Sequence, residues 1–225
     1  KLKRMRNLEV AEIVDQVALI DKQSKLYFDR PLSNIVFMGM GEPMMNYKNV
    51  VDAIRKITQE DGLGMSARRI TVSTSGIPKM MKMLADENLK VKLALSLHSA
   101  IEHKRNEIMP FSTKFPLTEI MEAMQYWYDK TGSRITFEYC VWKGINDGDE
   151  DIKALIKYCK QVPCKVNLIQ YNPIGEGKFD HRSVEAEEKY VRELEKAGIT
   201  ALVRRSRGGD IDAACGQLAN KNSGE

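Results

Sequence analysis

Small and polar residues that could bind a ligand occur in five short segments, most of which directly follow an apolar run. In a parallel α/β barrel, the loops at the carboxyl ends of the strands carry the functional groups. Glycine, serine and proline are common in any turn, but five such segments in register with strand ends indicate more than turn chemistry. The sequence therefore predicts a polar pocket at one mouth of a barrel, built from residues 39–43 (GMGEP), 73–76 (STSG), 96–99 (SLHS), 171–173 (YNP) and 204–215.

Common catalytic signatures are absent from the sequence, which contains neither a GxxxxGK[ST] phosphate loop nor an HExxH zinc motif. Glu42 and Pro43 follow Gly41, and a proline there would disturb the helix start that a dinucleotide-binding GxGxxG motif requires. His98 on its own indicates a hydrogen-bonded loop residue rather than a base or a metal ligand. Met80, Met81 and Met83 have helical spacing, so we predict that they fill the core.

The four cysteines show neither CxxC spacing nor zinc-ligand spacing with a nearby histidine. A chain of 225 residues with 43% apolar residues can bury a core and does not need disulfides for stability. Most of the cysteines are predicted to be buried, small apolar residues. Cys140, late in a strand, and Cys159, on a helix face, are expected in the core, whereas Cys164 directly precedes a strand, at the end of a barrel opposite to its functional groups. From residue types alone, Cys215 would also be interpreted as a buried thiol at the start of a helix.

Helical and strand-like patterns alternate along the chain, and this alternation is typical of βα units with a parallel sheet. The fold class is therefore α/β, and one domain covering residues 1–225 is the simplest organisation. A helix opens the chain, which suggests that a strand and its loop precede it. The predicted strands are 34–38, 69–72, 91–95, 134–139, 165–169 and 199–203, and the predicted helices are 7–20 or beyond, 50–57, 77–85, 117–129, one beginning near 147–151, 183–197 and 210–218.

The net charge of +4 permits an RNA partner without requiring one. Basic residues cluster between Lys1 and Arg6 and again at Arg204, Arg205 and Arg207. No apolar run approaches the length of a membrane helix, and no secretory signal pattern follows the basic start. We therefore expect a cytoplasmic protein with no membrane partner.

At these same segments the sequence resembles the radical S-adenosylmethionine 23S rRNA adenine methyltransferases, the RlmN/Cfr group. The resemblance spans nearly the whole chain, and the long motif at 210–218 is its most specific part. The intact Gly41-Glu42-Pro43 is closer to the C2-methylating branch than to the C8-methylating branch. The matching segments are 6–8 (RNL), 38–43 (MGMGEP), 69–76, 96–98 (SLH), 166–169 (VNLI), 171–173 (YNP) and 210–218 (DIDAACGQL).

The resemblance implies a partial (β/α) barrel of the radical S-adenosylmethionine type and a set of site residues. Cys215 would accept a methyl group on sulfur from one S-adenosylmethionine. A radical derived from a second S-adenosylmethionine would then activate that methyl for addition to the adenine ring, because C2 of adenine is not nucleophilic. The residues implied to bind S-adenosylmethionine are Gly41, Glu42, Ser73, Ser96, Leu97, His98 and Asn172.

Members of this family hold a [4Fe–4S] cluster on a CxxxCxxC motif just before the segment that matches Arg6-Asn7-Leu8. The cluster cysteines are therefore expected upstream of Lys1, and no cysteine precedes Cys140 in this sequence. The expectation is an N-terminally truncated chain that lacks the first strand and the cluster loop, contains no metal ligands of its own, and is inactive alone. The full protein would bind the cluster, act on 23S rRNA and tRNA, and receive electrons from a flavodoxin-type reductant.

Three alternatives remain open at this point. One is a noncatalytic RNA-binding barrel that has lost its cluster. Another is a C8-directed adenine methyltransferase of the same family. A third is a metabolic barrel enzyme for a phosphorylated small molecule, which the lack of a glycine-rich phosphate loop after the final strands disfavours. The iron content of the full-length protein would separate the first and third from a cluster enzyme.

Overall fold

The computed structural model describes residues 6–38, 41–169 and 184–204. Their framework is a six-stranded sheet in which neighbouring strands are parallel and follow chain order from β1 to β6. Consecutive parallel strands need a crossover between them, and helices supply it throughout the described chain. The strands are β1 (Ile35–Phe37), β2 (Ile70–Thr74), β3 (Lys92–Ser96), β4 (Ile135–Tyr139), β5 (Cys164–Ile169) and β6 (Ala201–Arg204).

Seven α-helices are described along these ranges. Three short 3-10 turns, Pro43–Asn46, Ala67–Arg69 and Pro110–Lys114, complete the connections. Three acidic residues occupy the first turn of α6, where the helix dipole favours negative charge, as the sequence predicts. The helices are α1 (Val10–Phe28), α2 (Tyr47–Thr58), α3 (Pro78–Asp86), α4 (Glu102–Ile108), α5 (Leu117–Thr131), α6 (Asp149–Cys159) and α7 (Val184–Lys196).

The core lies between one face of the sheet and the helices. Alternate strand residues point to opposite faces, and the large apolar residues of β2 to β5 share the face that packs in the core cluster: Ile70, Val72, Leu93, Leu95, Ile135, Phe137, Tyr139, Val166 and Leu168. The intervening residues are mostly small or polar, and they include Ser73, Ser96, Glu138 and Asn167. We call this second face the concave face, and its polar side chains make it the candidate ligand-binding face.

The predicted α/β class and the alternation of helices and strands are confirmed. The parallel six-stranded sheet agrees with a partial barrel, and β1 and β6 do not pair with each other in the described part of the chain. Two expectations are corrected. The sequence reading missed α4, and Met83 is 39% exposed although Met81 is fully buried as expected. The predicted helix at 210–218 lies outside the described residues.

None of the described helices is long and apolar enough to cross a bilayer.

Candidate functional site

Glu42 joins the loop after β1 to the loop after β2. Its Oε1 accepts a hydrogen bond from Met44 N (3.0 Å), which caps the following 3-10 turn. Its Oε2 accepts from both the backbone N and the hydroxyl of Ser75, each at 2.7 Å. A carboxylate offers about four acceptor positions, so these three donors leave room for one further donor. The carboxylate is thus fixed in place and still able to bind a cation or an ammonium group.

Gly41 precedes Glu42 with φ +141°, a backbone conformation that L side chains rarely adopt. A Cβ built at this position would have no neighbour within 4 Å among the described residues. Glycine is therefore favoured by backbone conformation rather than by crowding. The loop passes at the carboxyl end of β1 with an exposed backbone that a ligand can approach closely.

His98 follows β3 and has a left-handed backbone conformation, with φ +56°. Its Nδ1 accepts a hydrogen bond from Cys140 N (3.1 Å), and its ring lies edge-on to Trp142. Burial, followed by the positive charge of Arg105, lowers the pKa of His98 to about 4. The ring is therefore neutral at neutral pH, and because Nδ1 accepts, the proton lies on Nε2. A neutral Nε2–H can donate to a ligand but is unsuited to act as a general base.

Asn146 holds the loop that contains His98. Its Nδ2 donates to the carbonyl oxygens of His98 (2.6 Å) and Cys140 (2.8 Å), and its Oδ1 accepts from Trp142 N (2.7 Å). The hydroxyl of Tyr190 donates to the Asn146 carbonyl at 2.6 Å. The side chain is fully buried, so these bonds form without competition from water. They stabilise the unfavourable left-handed conformation at His98.

Arg105, on α4, is fully buried and links two of the strand ends. One terminal nitrogen donates to the carbonyl oxygen of Ser75 at 2.5 Å and lies 3.4 Å from that of Ser96. Its Nε and other terminal nitrogen have no hydrogen-bond partner in the described structure. The loops after β2 and β3 are thus held to a common cation. Sequence reasoning missed this residue because an arginine within EHKRNEI looks like part of a solvated surface.

The remaining described residues implied to bind S-adenosylmethionine are Ser73, Ser96 and Leu97. Ser73 lies within β2 and Ser96 ends β3, both on the concave face. Leu97 differs, because its side chain is fully buried in the core, its N–H donates to Glu138 O and its carbonyl accepts from Ser99 N. Its side chain anchors the loop, and its role in cofactor binding remains a prediction.

The positions of the cysteines require one correction. Cys140 was expected late in a strand, but β4 ends at Tyr139, so Cys140 lies just beyond the carboxyl end of that strand. It is 6% exposed, and its N–H bonds to His98. Being beyond a strand end therefore does not distinguish Cys215 from Cys140. Cys159 is buried at the end of α6, and Cys164 begins β5, at the opposite edge of the sheet, as expected.

Several predicted site residues lie outside the described residues. They are Asn172, Arg205, Arg207 and Cys215, together with the first two residues of the 39–43 segment. The structure thus brings together the segments after β1, β2 and β3, while the segments after β5 and β6 remain predictions.

The basic start of the chain is also outside the described residues, which begin at Arg6, so the structure places neither Lys1 nor its four successors. The structure does not test the expectation that the cluster cysteines precede Lys1. That expectation therefore stays a prediction.

The described residues contain no group of three or more histidine, cysteine, aspartate or glutamate side chains that could hold a metal ion. The sequence itself has only four cysteines, none of them in a CxxxCxxC arrangement. The residues of this chain therefore do not fit a [4Fe–4S] cluster.

Similarity to known proteins identifies the family of this chain. Residues 2–159 match the Radical SAM superfamily. A protein of Flavobacterium psychrophilum named "Probable dual-specificity RNA methyltransferase RlmN" is 66% identical over 98% of this chain, and one of the same name from Christiangramia forsetii is 65% identical over 99%. The chain spans 64% and 63% of the lengths of these two proteins.

Solved structures agree with this assignment. The crystal structure of a radical SAM methyltransferase from Sphaerobacter thermophilus has 41% sequence identity and a TM-score of 0.91, covering 95% of this chain and 62% of that chain. Streptococcus suis SuiB bound to S-adenosylmethionine has only 14% identity and a TM-score of 0.63, over 91% of this chain and 45% of that chain, and shows the shared fold alone. The chain belongs to the radical SAM superfamily and, within it, to the group that contains the RlmN proteins.

Proposed function

We propose that the full protein containing this chain is an RNA methyltransferase that methylates C2 of an adenine in 23S rRNA and in tRNA, with Cys215 as the methyl carrier. The observation that carries this proposal is the joining of three strand-end loops around Glu42, Ser75, Arg105 and His98 at one edge of a radical SAM barrel. The names of the relatives support an RNA substrate and more than one class of RNA.

The described residues fit S-adenosylmethionine. Glu42 has acceptor capacity left for the ammonium group, and charge-assisted hydrogen bonds of this kind are the stronger ones. His98 can donate from Nε2. Ser73 on β2 and Ser96 on β3 add hydroxyl groups on the concave face. When bound, S-adenosylmethionine supplies both a transferable methyl group and, on reduction, a radical. These side chains bind and orient it, and Asn172 is proposed to complete the site.

The rest of the described site keeps these groups in position. Arg105 holds the loops after β2 and β3 together, and Asn146 fixes His98. Such preorganisation lowers the ordering cost that binding would otherwise incur. Cys215 is assigned on the resemblance of the 210–218 motif, in which the thiolate is the nucleophile that accepts a methyl group.

The proposal is tested by the modified nucleosides in cellular RNA. We expect 2-methyladenosine to be present in 23S rRNA and tRNA of the parent organism, lost on deletion of the gene, and restored by the full-length gene. Mass spectrometry of digested RNA separates 2-methyladenosine from 8-methyladenosine by retention against standards. Restoration of 8-methyladenosine would favour the C8-directed alternative, and no change in either nucleoside would favour a noncatalytic RNA-binding protein.

A further inference from the structure

Glu138 is a buried carboxylate on the concave face, only 3% exposed. It lies on β4 directly between Ser96 of β3 and Asn167 of β5 in the sheet register. Side chains of directly paired residues on neighbouring strands share one face and lie side by side. These three residues therefore form a polar row across the sheet, which we call the Ser96–Glu138–Asn167 row.

One oxygen of Glu138 is satisfied and the other is not. Asn167 Nδ2 donates to Oε1 at 3.0 Å, which fixes the orientation of the carboxyl group. Oε2 is buried and has no hydrogen-bond partner in the described structure. Leaving a buried polar atom without a partner is costly, and such atoms are rare in native proteins. The arrangement is that expected of an acceptor held ready for a donor from a ligand.

The backbone of Glu138 places it against the residues implied to bind S-adenosylmethionine. Its carbonyl oxygen accepts from the N–H groups of Leu97 (3.0 Å) and His98 (3.4 Å). Two backbone hydrogen bonds thus anchor the loop after β3 to Glu138. A ligand contacting Ser96 and His98 lies next to the free oxygen.

The ammonium group of S-adenosylmethionine cannot be the donor to Glu138 Oε2 if it binds to Glu42. Glu42 is hydrogen-bonded to Ser75, which follows β2, whereas Glu138 lies on β4. Because β2 and β4 are two strand spacings of ~4.8 Å apart, the carboxylates of Glu42 and Glu138 are about 10 Å apart along the sheet. One ammonium group cannot hydrogen-bond to both. The nucleoside half of the same molecule carries the remaining donors, the two ribose hydroxyls and the adenine amine, and a carboxylate is a well-matched acceptor for ribose hydroxyls.

Resting on the function proposed above, we propose that Glu138 is a further ligand-binding residue, whose Oε2 accepts a hydrogen bond from the ribose hydroxyls of S-adenosylmethionine. Burial raises the pKa of Glu138, while the bond from Asn167 and the charges of Arg204 and Lys165 act in the opposite direction. A hydroxyl donor satisfies Oε2 without requiring a second buried charge.

The test uses the full-length protein and 5′-methylthioadenosine, which has the nucleoside without the amino acid, as probe in isothermal titration calorimetry. We expect Glu138→Gln to weaken binding roughly 10-fold to 100-fold, the range for a hydrogen bond to a charged group. Glu119→Gln, at an exposed position on α5, is the matched control and should bind as the wild type does. Unchanged affinity of the Glu138→Gln protein would overturn the assignment.

Analogues identify the donor. Wild-type protein should bind 2′-deoxy- or 3′-deoxy-5′-methylthioadenosine more weakly than the parent compound, and Glu138→Gln should lose most of that difference, because coupled groups are not additive. If instead 5′-methylthioinosine, which lacks the adenine amine, shows the coupling and the deoxy analogues do not, the ribose assignment is wrong.

Thermal unfolding without ligand separates binding from a structural role. Glu138→Gln replaces an unsatisfied buried carboxyl group, so the ligand-free melting temperature should stay the same or rise while the shift caused by 5′-methylthioadenosine shrinks. A lower ligand-free melting temperature with unchanged affinity would make Glu138 a partner of Lys165 and Arg204 and overturn the proposal. Absence of any nucleoside binding by the wild type would overturn it too. Intact binding without RNA methylation would overturn only the proposed function.

Discussion

His98 illustrates how a single side chain is set by its surroundings. Its Nδ1 is occupied by Cys140 N, its carbonyl oxygen is held by Asn146, and its φ is positive. The bond to Nδ1 places the proton of the neutral ring on Nε2, whereas the other two constraints fix the backbone of the loop. The sequence interpretation, a hydrogen-bonded loop residue rather than a base, agrees with this geometry.

The depressed pKa of His98 predicts a dependence of stability on pH. Its value is about 4 in the folded protein, against an ordinary value of 6.5. The unfolded chain therefore binds a proton at a higher pH than the folded protein does. The contribution of His98 to the free energy of unfolding is fully present above pH 6.5 and is lost as the pH falls from about 6.5 towards about 4, by on the order of 3 kcal/mol.

Urea unfolding between pH 4 and 8 tests this. His98→Asn should flatten the loss, because asparagine tolerates a positive φ and its Oδ1 can accept from Cys140 N without titrating. His103→Asn, at an exposed position of α4, serves as control and should retain the wild-type pH dependence. Equal pH dependence in the wild-type and His98→Asn proteins would show that His98 is not the titrating group.

The second prediction at the residue scale compares Cys215 with Cys140, since the structure places Cys140 at the carboxyl edge of the sheet, where methyl transfer is proposed to occur. Cys215→Ala in the full-length enzyme should abolish methyl transfer to RNA and leave S-adenosylmethionine binding within about two-fold, because it removes the methyl carrier and not the pocket. Cys140→Ala should retain transfer. Mass spectrometry of the protein made in cells should show the added methyl on the peptide containing residues 212–217. A methylated Cys140 peptide, or transfer by the Cys215→Ala enzyme, would contradict the assignment.

At the scale of elements, the periodic parts of the chain were predictable and the buried polar parts were not. The alternation in β2, β3 and β4 follows from large apolar side chains at every second position, and this signal is present in the sequence. The helix α4 gives no apolar period, because Arg105 occupies its fully buried position. Because the buried position of α4 carries a charge, the sequence pattern indicated neither the helix nor its role in holding the loops after β2 and β3.

The residues of the candidate site that follow a strand could be predicted from the sequence. The residues that hydrogen-bond to them from distant parts of the chain could not. Glu42, Ser96 and His98 were placed correctly at the carboxyl edge of the sheet. Their positioning partners Arg105 and Asn146 are distant in sequence from the groups they hold, and no local pattern marks them. Glu138 carried a usable signal, because it is the only charged residue of β4 and alternation assigns it to the concave face.

A substitution at Asn146 tests whether its hydrogen bonds stabilise the connection between β4 and α6. Asn146→Asp should destabilise the protein by about 3 kcal/mol, because a carboxylate cannot donate to the carbonyl oxygens of His98 and Cys140 and brings a charge into a fully buried site. Asn88→Asp, which makes the same chemical change at an exposed position, should alter stability by less than about 0.5 kcal/mol. Chemical denaturation measures both. A loss below about 1 kcal/mol for Asn146→Asp would mean that the network does not hold this loop.

On the scale of the whole molecule, the two ends of the barrel differ in what they offer. The carboxyl ends of the strands carry Glu42, His98 and the Ser96–Glu138–Asn167 row, and β6 ends there at Arg204, which continues into Arg205 and Arg207. The opposite end holds an open cavity of about 430 Å³ lined by Arg134, Lys160 and Cys164. Both ends therefore carry basic residues, and net charge alone does not show which end meets RNA.

We predict that RNA binds at the carboxyl ends of the strands, because the proposed S-adenosylmethionine site lies there, and salt dependence can test this. Each phosphate contact that is lost removes about 0.7 to 0.9 from the slope of log affinity against log salt. Changing Arg204, Arg205 and Arg207 together to glutamine in the full-length protein should weaken RNA binding and reduce that slope by about 2. Changing Arg134, Lys157 and Lys160 to glutamine removes the same charge from exposed positions at the opposite end and should leave the slope nearly unchanged. Filter binding to a 23S rRNA fragment over a salt series measures both.

Equal reductions in the two triple variants would mean that RNA responds to the overall charge of the molecule. A reduction confined to the second variant would place RNA at the amino-terminal end of the strands.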